Sequence, residues 1–144
     1  METNRSALSW KLTSPTALLT LLLGGFMLFL SVNTTLHPVS AGQGFGIPST
    51  GADALPWLSV KAGRDLGIAL ALFGLVFTRQ RLAAGIFVLA TIVMPVVDAL
   101  TVVKAGTPLL YALCVHGSAA LFGVLLGAAL LRGHGARALG RVAG

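Results

Sequence analysis

Apolar residues along this chain fall into four long blocks separated by short polar or glycine-rich stretches. The blocks run from about Pro15 to Leu36, Trp57 to Thr78, Leu82 to Val103 and Pro108 to Leu131. Each reaches the length of about 20 residues that a membrane-spanning helix needs. Ser14 followed by Pro15 is a helix start, a capping hydroxyl before a first-turn proline, and Thr107-Pro108 repeats it. Arg79-Gln80-Arg81 is so short that it sets the third helix antiparallel beside the second. Pro95 predicts a kink in the third helix. The pattern predicts an all-α integral membrane four-helix bundle, one domain over residues 1–144.

The stretch between the first two blocks, about residues 37–56, is the longest loop. Gly42, Gly44 and Gly46 alternate in it, which suggests a tight, irregular backbone path. No strand precedes them and no βαβ unit surrounds them, so they are not a dinucleotide fingerprint. The loop reads as a lid on the end of the bundle, formed by Gly44, Phe45, Gly46 and Pro48, with Phe45 and Ile47 dipping inward. Val39-Ser40-Ala41 has the small residues of a signal cleavage site, but the first block is long for a signal core, so it is read as retained.

Composition agrees with the pattern. The chain is 56% hydrophobic and only 10% charged, whereas about a quarter of a typical soluble domain is charged. The net charge of +6 could suggest nucleic acid, but the basic residues flank apolar blocks and act as topology signals. The head (Arg5, Lys11), the Arg79–Arg81 turn and the tail over 132–144 (Arg132, Arg137, Arg141) carry seven of them; the opposite side carries one, Lys104. That asymmetry places both termini in the cytoplasm, a bacterial inner membrane being the expected setting. Trp10 reads as an interfacial anchor. A single cysteine, Cys114, leaves no Cys-x-x-Cys pair and argues against a thiol oxidoreductase.

The second block departs from this simplicity. Its uninterrupted apolar run begins only at Leu66, so the helix must include Lys61, Arg64 and Asp65. These fall within an arc of roughly 100° on a helix, and Lys61 and Asp65 can pair across one turn. An ionised side chain at a bilayer centre costs about 2.5–3.5 kcal/mol, and less near the interface. Asp98 on the third helix and His116 on the fourth lie at comparable depths from the same side, about 7–12 Å along their helices. The four permanent charges sum to zero, as a paired internal network requires. Arg64 with Asp98, a planar fork against a carboxylate, is the expected central contact. Thr91, Asp98 and Thr101 are read as one face of the third helix, and His116, Ala120, Gly123 and Gly127 as a small-residue seam on the fourth. One histidine and two aspartates interleaved with Lys61 and Arg64 make a poor metal cage, and no cofactor motif is present, so neither metal nor cofactor is expected.

Gly44-Phe45-Gly46-Ile47-Pro48, Lys61-Ala62-Gly63-Arg64-Asp65-Leu66, Pro95-Val96-Val97-Asp98-Ala99-Leu100 and His116 together resemble the marks of one family. It is a family of small four-helix membrane proteins of unknown function, found in bacteria and fungi. The likeness covers about residues 16–131. Ala62 stands where the family's Lys-Gly-x-Arg-Asp element has its first glycine. The resemblance implies the four-helix fold and carries no activity with it.

Three functions fit. The leading one is a non-enzymatic membrane protein whose polar site in the outer half of the bundle binds or passes a small molecule or a proton, or an accessory subunit. Histidine is the side chain suited to proton exchange near neutrality. The second is a membrane-embedded enzyme on a lipid-soluble substrate, with Asp98 and His116 as acid and base and Arg64 holding an anion. The third is a structural bundle in which the charges are only a clasp. The first helix has no acidic residue, which counts against the glutamate-centred mechanism of small multidrug exporters. The expected partners are the lipid bilayer, a small-molecule ligand, and further copies of the chain or a larger membrane complex, with no nucleic acid. A cavity reaching Asp98 separates a binder from a clasp.

Overall fold

The computed structural model describes residues 10–47 and 55–140. All regular structure among them is helical. In chain order it comprises α1 (Pro15–Leu36), α2 (Pro38–Phe45), α3 (Leu55–Phe77), α4 (Arg81–Thr91), α5 (Val93–Lys104), α6 (Leu109–Ala112), a π-helical stretch (Leu113–Gly117) and α7 (Ser118–Gly140). α4 continues into α5, and α6 into α7, so the described residues form five helical bodies where the pattern predicts four.

The additional body is α2, which replaces the irregular loop expected there. Pro38 occupies its first turn, and Gly46 ends it at φ 103°, with the Gly46 and Ile47 amides bonded back to Gln43 and Gly42. Gly42 and Gly44 disfavour a helix by about 1 kcal/mol each relative to alanine. Side chains from another part of the bundle hold α2 in place, which local sequence does not reveal. Pro48, assigned to the same lid, lies outside the described residues.

Three stretches are long and apolar enough to cross a membrane: Pro15–Leu36, Arg81–Lys104 and Leu109–Arg132, with mean hydropathies of 2.0, 2.4 and 2.0. α3 has the length, but Lys61, Arg64 and Asp65 sit inside it, so it is not among them. Leu22, Phe29, Ile86, Leu100, Leu110 and Leu121 point away from the bundle. A continuous apolar exterior of this kind suits contact with lipid. α7 extends to Gly140, past its expected end at Leu131.

The long helices alternate in direction and pack as two pairs. α1 lies on α3 through a stripe of small buried residues, Ala17, Thr20, Gly24, Ser31 and Thr34. A Cβ on Gly24 would stand 2.9 Å from the Phe73 ring. α4 lies on α7 in the same manner: Gly85 faces Leu130 and Leu131, and Gly127 faces Leu89. The glycine seam of the fourth helix is thus consumed within the chain. The pairs share a core near one end, where Trp10 joins Val76, Ala84 and Leu130. Trp10 is 4% exposed, and its Nε1 donates to Thr16 Oγ1 at 3.0 Å. It is therefore a core residue rather than an interfacial anchor, because its ring fills the gap where the pairs meet.

α3 and α4 meet at their turn, as its shortness requires, but neither uses the other as its main packing partner. They diverge from the turn. Farther along, α4 gives way to α5 at Ile92, three residues before Pro95. The proline has no N–H for the Thr91 carbonyl, and the Ile92 and Val96 amides make long bonds of 3.3 Å. The helical hydrogen bonding is interrupted where the kink is expected.

A glycine inside a seam and a glycine outside both seams predict opposite responses to added volume. A Cβ on Gly127 would lie 2.5 Å from Leu89, whereas one on Gly67 meets nothing within 4 Å. Gly127→Val should lower stability by about 1–3 kcal/mol through overpacking. Gly67→Ala should be neutral or stabilise by up to about 1 kcal/mol. Thermal unfolding in detergent checks both, and equal effects would contradict the packing described.

Candidate functional site

The charged residues of α3 meet Asp98 of α5 in one connected cluster. Asp65 is fully buried. Lys61 Nζ donates to its Oδ2 at 2.5 Å, the pairing across one helical turn that the spacing predicts. Arg64 Nε reaches Asp65 Oδ1 at 3.3 Å, and Arg64 Nη2 reaches Asp98 Oδ2 at 3.4 Å. The Arg64–Asp98 contact exists, but not as a fork on one carboxylate. The guanidinium divides between two carboxylates, because Asp65 follows it directly in sequence and Asp98 approaches from the neighbouring helix.

His116 is buried beside this cluster but belongs to a different set of contacts. It sits in the π-helical stretch, whose wider turn changes the direction of the side chains around it. Its Nε2 lies 2.9 Å from the Phe45 carbonyl oxygen. A carbonyl can only accept, so Nε2 is the donor. The Phe45 ring meets the imidazole edge-on at 4.8 Å and also contacts Trp57, and Lys61 Nζ lies 5.4 Å from its centre. Phe45 thus dips inward, as expected for the lid, and joins the histidine to the ionic cluster.

Two further donors act on α2. Tyr111 Oη donates to the Gly44 carbonyl at 2.9 Å, and Thr107 Oγ1 donates to the Gly46 carbonyl. Three consecutive carbonyls at the end of α2, which have no partner within a helix, are satisfied by side chains from residues 107–116. Thr107 therefore ties down the lid instead of capping α6, which has no side-chain cap. Neither Thr107 nor Tyr111 is identified by sequence as a member of this region.

Between the two helix pairs lies a cavity of about 770 Å³. Lys61, Arg64, Asp65, Asp98 and His116 all border it, and Gly44 and Phe45 border it from α2. Asn33, Thr34 and Ser40 add polar groups that the sequence does not mark as members of this site. Thr34 is buried in α1, within Asn33-Thr34-Thr35. Away from this end the walls are apolar, with Leu23, Met27, Ile68, Val88 and Phe122. Thr91 borders the cavity with Asp98; Thr101 does not, and bonds back to the Val97 carbonyl instead. Among the described residues, no three histidine, cysteine or acidic side chains stand close enough to hold a metal ion.

A helical bundle with three apolar stretches of spanning length and an ionised cluster inside it is the architecture of a membrane protein with an internal polar site. Residues 24–130 match the family model described as a domain of unknown function (DUF4267), and the chain belongs to that family. The matched range contains all five of the charged and histidine positions, and its description assigns no activity. Comparison with curated proteins and with solved structures finds no match.

The geometry ranks the two carboxylates. Asp65 is fully buried and holds two cations; Asp98 makes one long contact and its side chain is 18% exposed. Asp65→Ala should cost about 3–5 kcal/mol, because it leaves buried cations without their partner. Asp98→Ala should cost about 1 kcal/mol or less, as for a partly hydrated ion pair. Thermal unfolding of the two variants checks the ranking, and an equal or reversed order would contradict it.

Proposed function

We propose that this protein is a non-enzymatic membrane component that holds a small molecule in the chamber between its two helix pairs. In this reading four segments cross the bilayer. α3 crosses with its charges turned inward, both termini face the cytoplasm, and the charged end of the chamber lies in the outer half of the membrane. The basic head, turn and tail support that orientation. The carrying observation is the cavity of about 770 Å³ that reaches Asp98. It falls within the range of about 300–1,000 Å³ typical of small-molecule sites. A bundle held only by a clasp would close over these charges.

One observation favours the clasp as a second reading: Lys61, Arg64, Asp65 and Asp98 are all paired with one another. A paired network can stabilise a bundle without any ligand. The readings differ in whether the chamber admits solutes.

Thr34 is 4% exposed and borders the chamber, so it is a suitable reporter. Thr34→Cys in a Cys114→Ser background should react with a membrane-impermeant maleimide in intact cells and should be protected in inside-out vesicles. Absence of reaction from either side, in protein that unfolds normally and reacts once denatured, would favour the clasp. Reaction from the cytoplasmic side alone would reverse the orientation. A cycle of Arg64→Ala, Asp98→Ala and the double variant should then show coupling of less than about 1 kcal/mol.

A further inference from the structure

We propose that the ligand of this chamber is an uncharged amphiphile, with a hydroxyl or carbonyl head on an apolar chain. The inference rests on the binding reading above and adds the chemistry of the ligand.

The head is specified by the polar end. Its permanent charges, Lys61 and Arg64 against Asp65 and Asp98, are balanced and already paired. An ionised head would bring an uncompensated charge to a set that is already neutral and paired, inside a largely apolar chamber. What the site does have to offer is neutral. The Thr34 hydroxyl is buried, borders the chamber and has no hydrogen-bond partner among the described residues. The Asn33 carboxamide, on the same wall, also has none. Buried polar groups are nearly always satisfied, so an unpartnered hydroxyl on a residue that borders a cavity marks where a donor or acceptor of a ligand belongs. Hydroxyl and amide can each donate and accept, which suits a hydroxyl or a carbonyl equally.

The body is specified by the rest of the chamber. Its inner wall carries Leu23, Met27, Ile68 and Phe122, with no charge. Leu22, Phe26 and Val115 border the same chamber and are 65%, 51% and 37% exposed. The chamber therefore opens sideways onto the apolar flank. A molecule with an apolar chain can enter there from lipid and place its head at Thr34.

The test keeps the chain constant and changes only the head. Monooleoylglycerol, oleoyl lysophosphatidate and oleoylcholine are titrated into phosphatidylcholine nanodiscs containing the full-length protein, with the melting temperature as readout, since a ligand that binds the folded state raises it. Monooleoylglycerol should bind at least about tenfold more tightly than either charged relative. Thr34→Val, which preserves shape and removes the hydroxyl, should weaken that binding by about threefold to tenfold. Equal or tighter binding of a charged relative by the wild-type protein would overturn the proposal without requiring any variant. So would unchanged binding by Thr34→Val. If none of the three binds while Thr34→Cys is still labelled, the ligand class is wrong and the chamber stands. If Thr34→Cys is not labelled either, the binding reading itself fails.

Discussion

The burial of the Asp65 carboxylate dominates this structure. A bare carboxylate cannot be held in an apolar bundle, so Lys61 and Arg64 must stay within reach on the same helix. That requirement places two cations inside α3, and they in turn determine what surrounds them. Arg64 draws in Asp98 from α5, and Lys61 sits near the face of Phe45. A helix that is apolar elsewhere thus organises a polar layer contributed by three separate parts of the chain.

The lid follows from the same logic. α2 is short and rich in glycine, and it would be marginal alone. Its end is held by Tyr111, Thr107 and His116 through main-chain carbonyls, so the hold depends on backbone position more than on which side chains α2 carries. Phe45 is the exception. Its ring links the imidazole to the ionic cluster, which ties the position of the lid to the state of the charges beneath it.

The chamber results from how the helices pair. Small residues let α1 approach α3 and let α4 approach α7 closely, and these two seams take up the packing that α3 and α4 would otherwise share. The helices joined by the tightest turn consequently share few contacts beyond it, and the break before Pro95 lies on the wall of the chamber that also carries Asp98. Dense packing inside each pair and a gap between the pairs are two consequences of the same distribution of glycine and alanine.

Much of this was legible in the residues themselves. Blocks of apolar residues locate three of the long helices because a segment long enough to span a membrane must be predominantly apolar. Pro95 locates the break because a missing N–H is a local fact. The Lys61–Asp65 pair follows from helical spacing, and the inward position of Asp98 and His116 follows from the cost of exposing them to lipid. Other features depended on where distant segments meet. The glycines of residues 42–46 have no helical preference, and α2 forms because carbonyl partners reach it from residues 107–116. Trp10 is buried because two helix pairs converge on it. The small-residue stripe of α1 was not read from the sequence, and only packing shows which apolar face it meets. The division of Arg64 between two carboxylates, the π-helical turn at His116 and the unpartnered hydroxyl of Thr34 likewise depend on contacts between helices. Spacing along one chain fixes which residues share a face, and tertiary packing alone decides what that face touches.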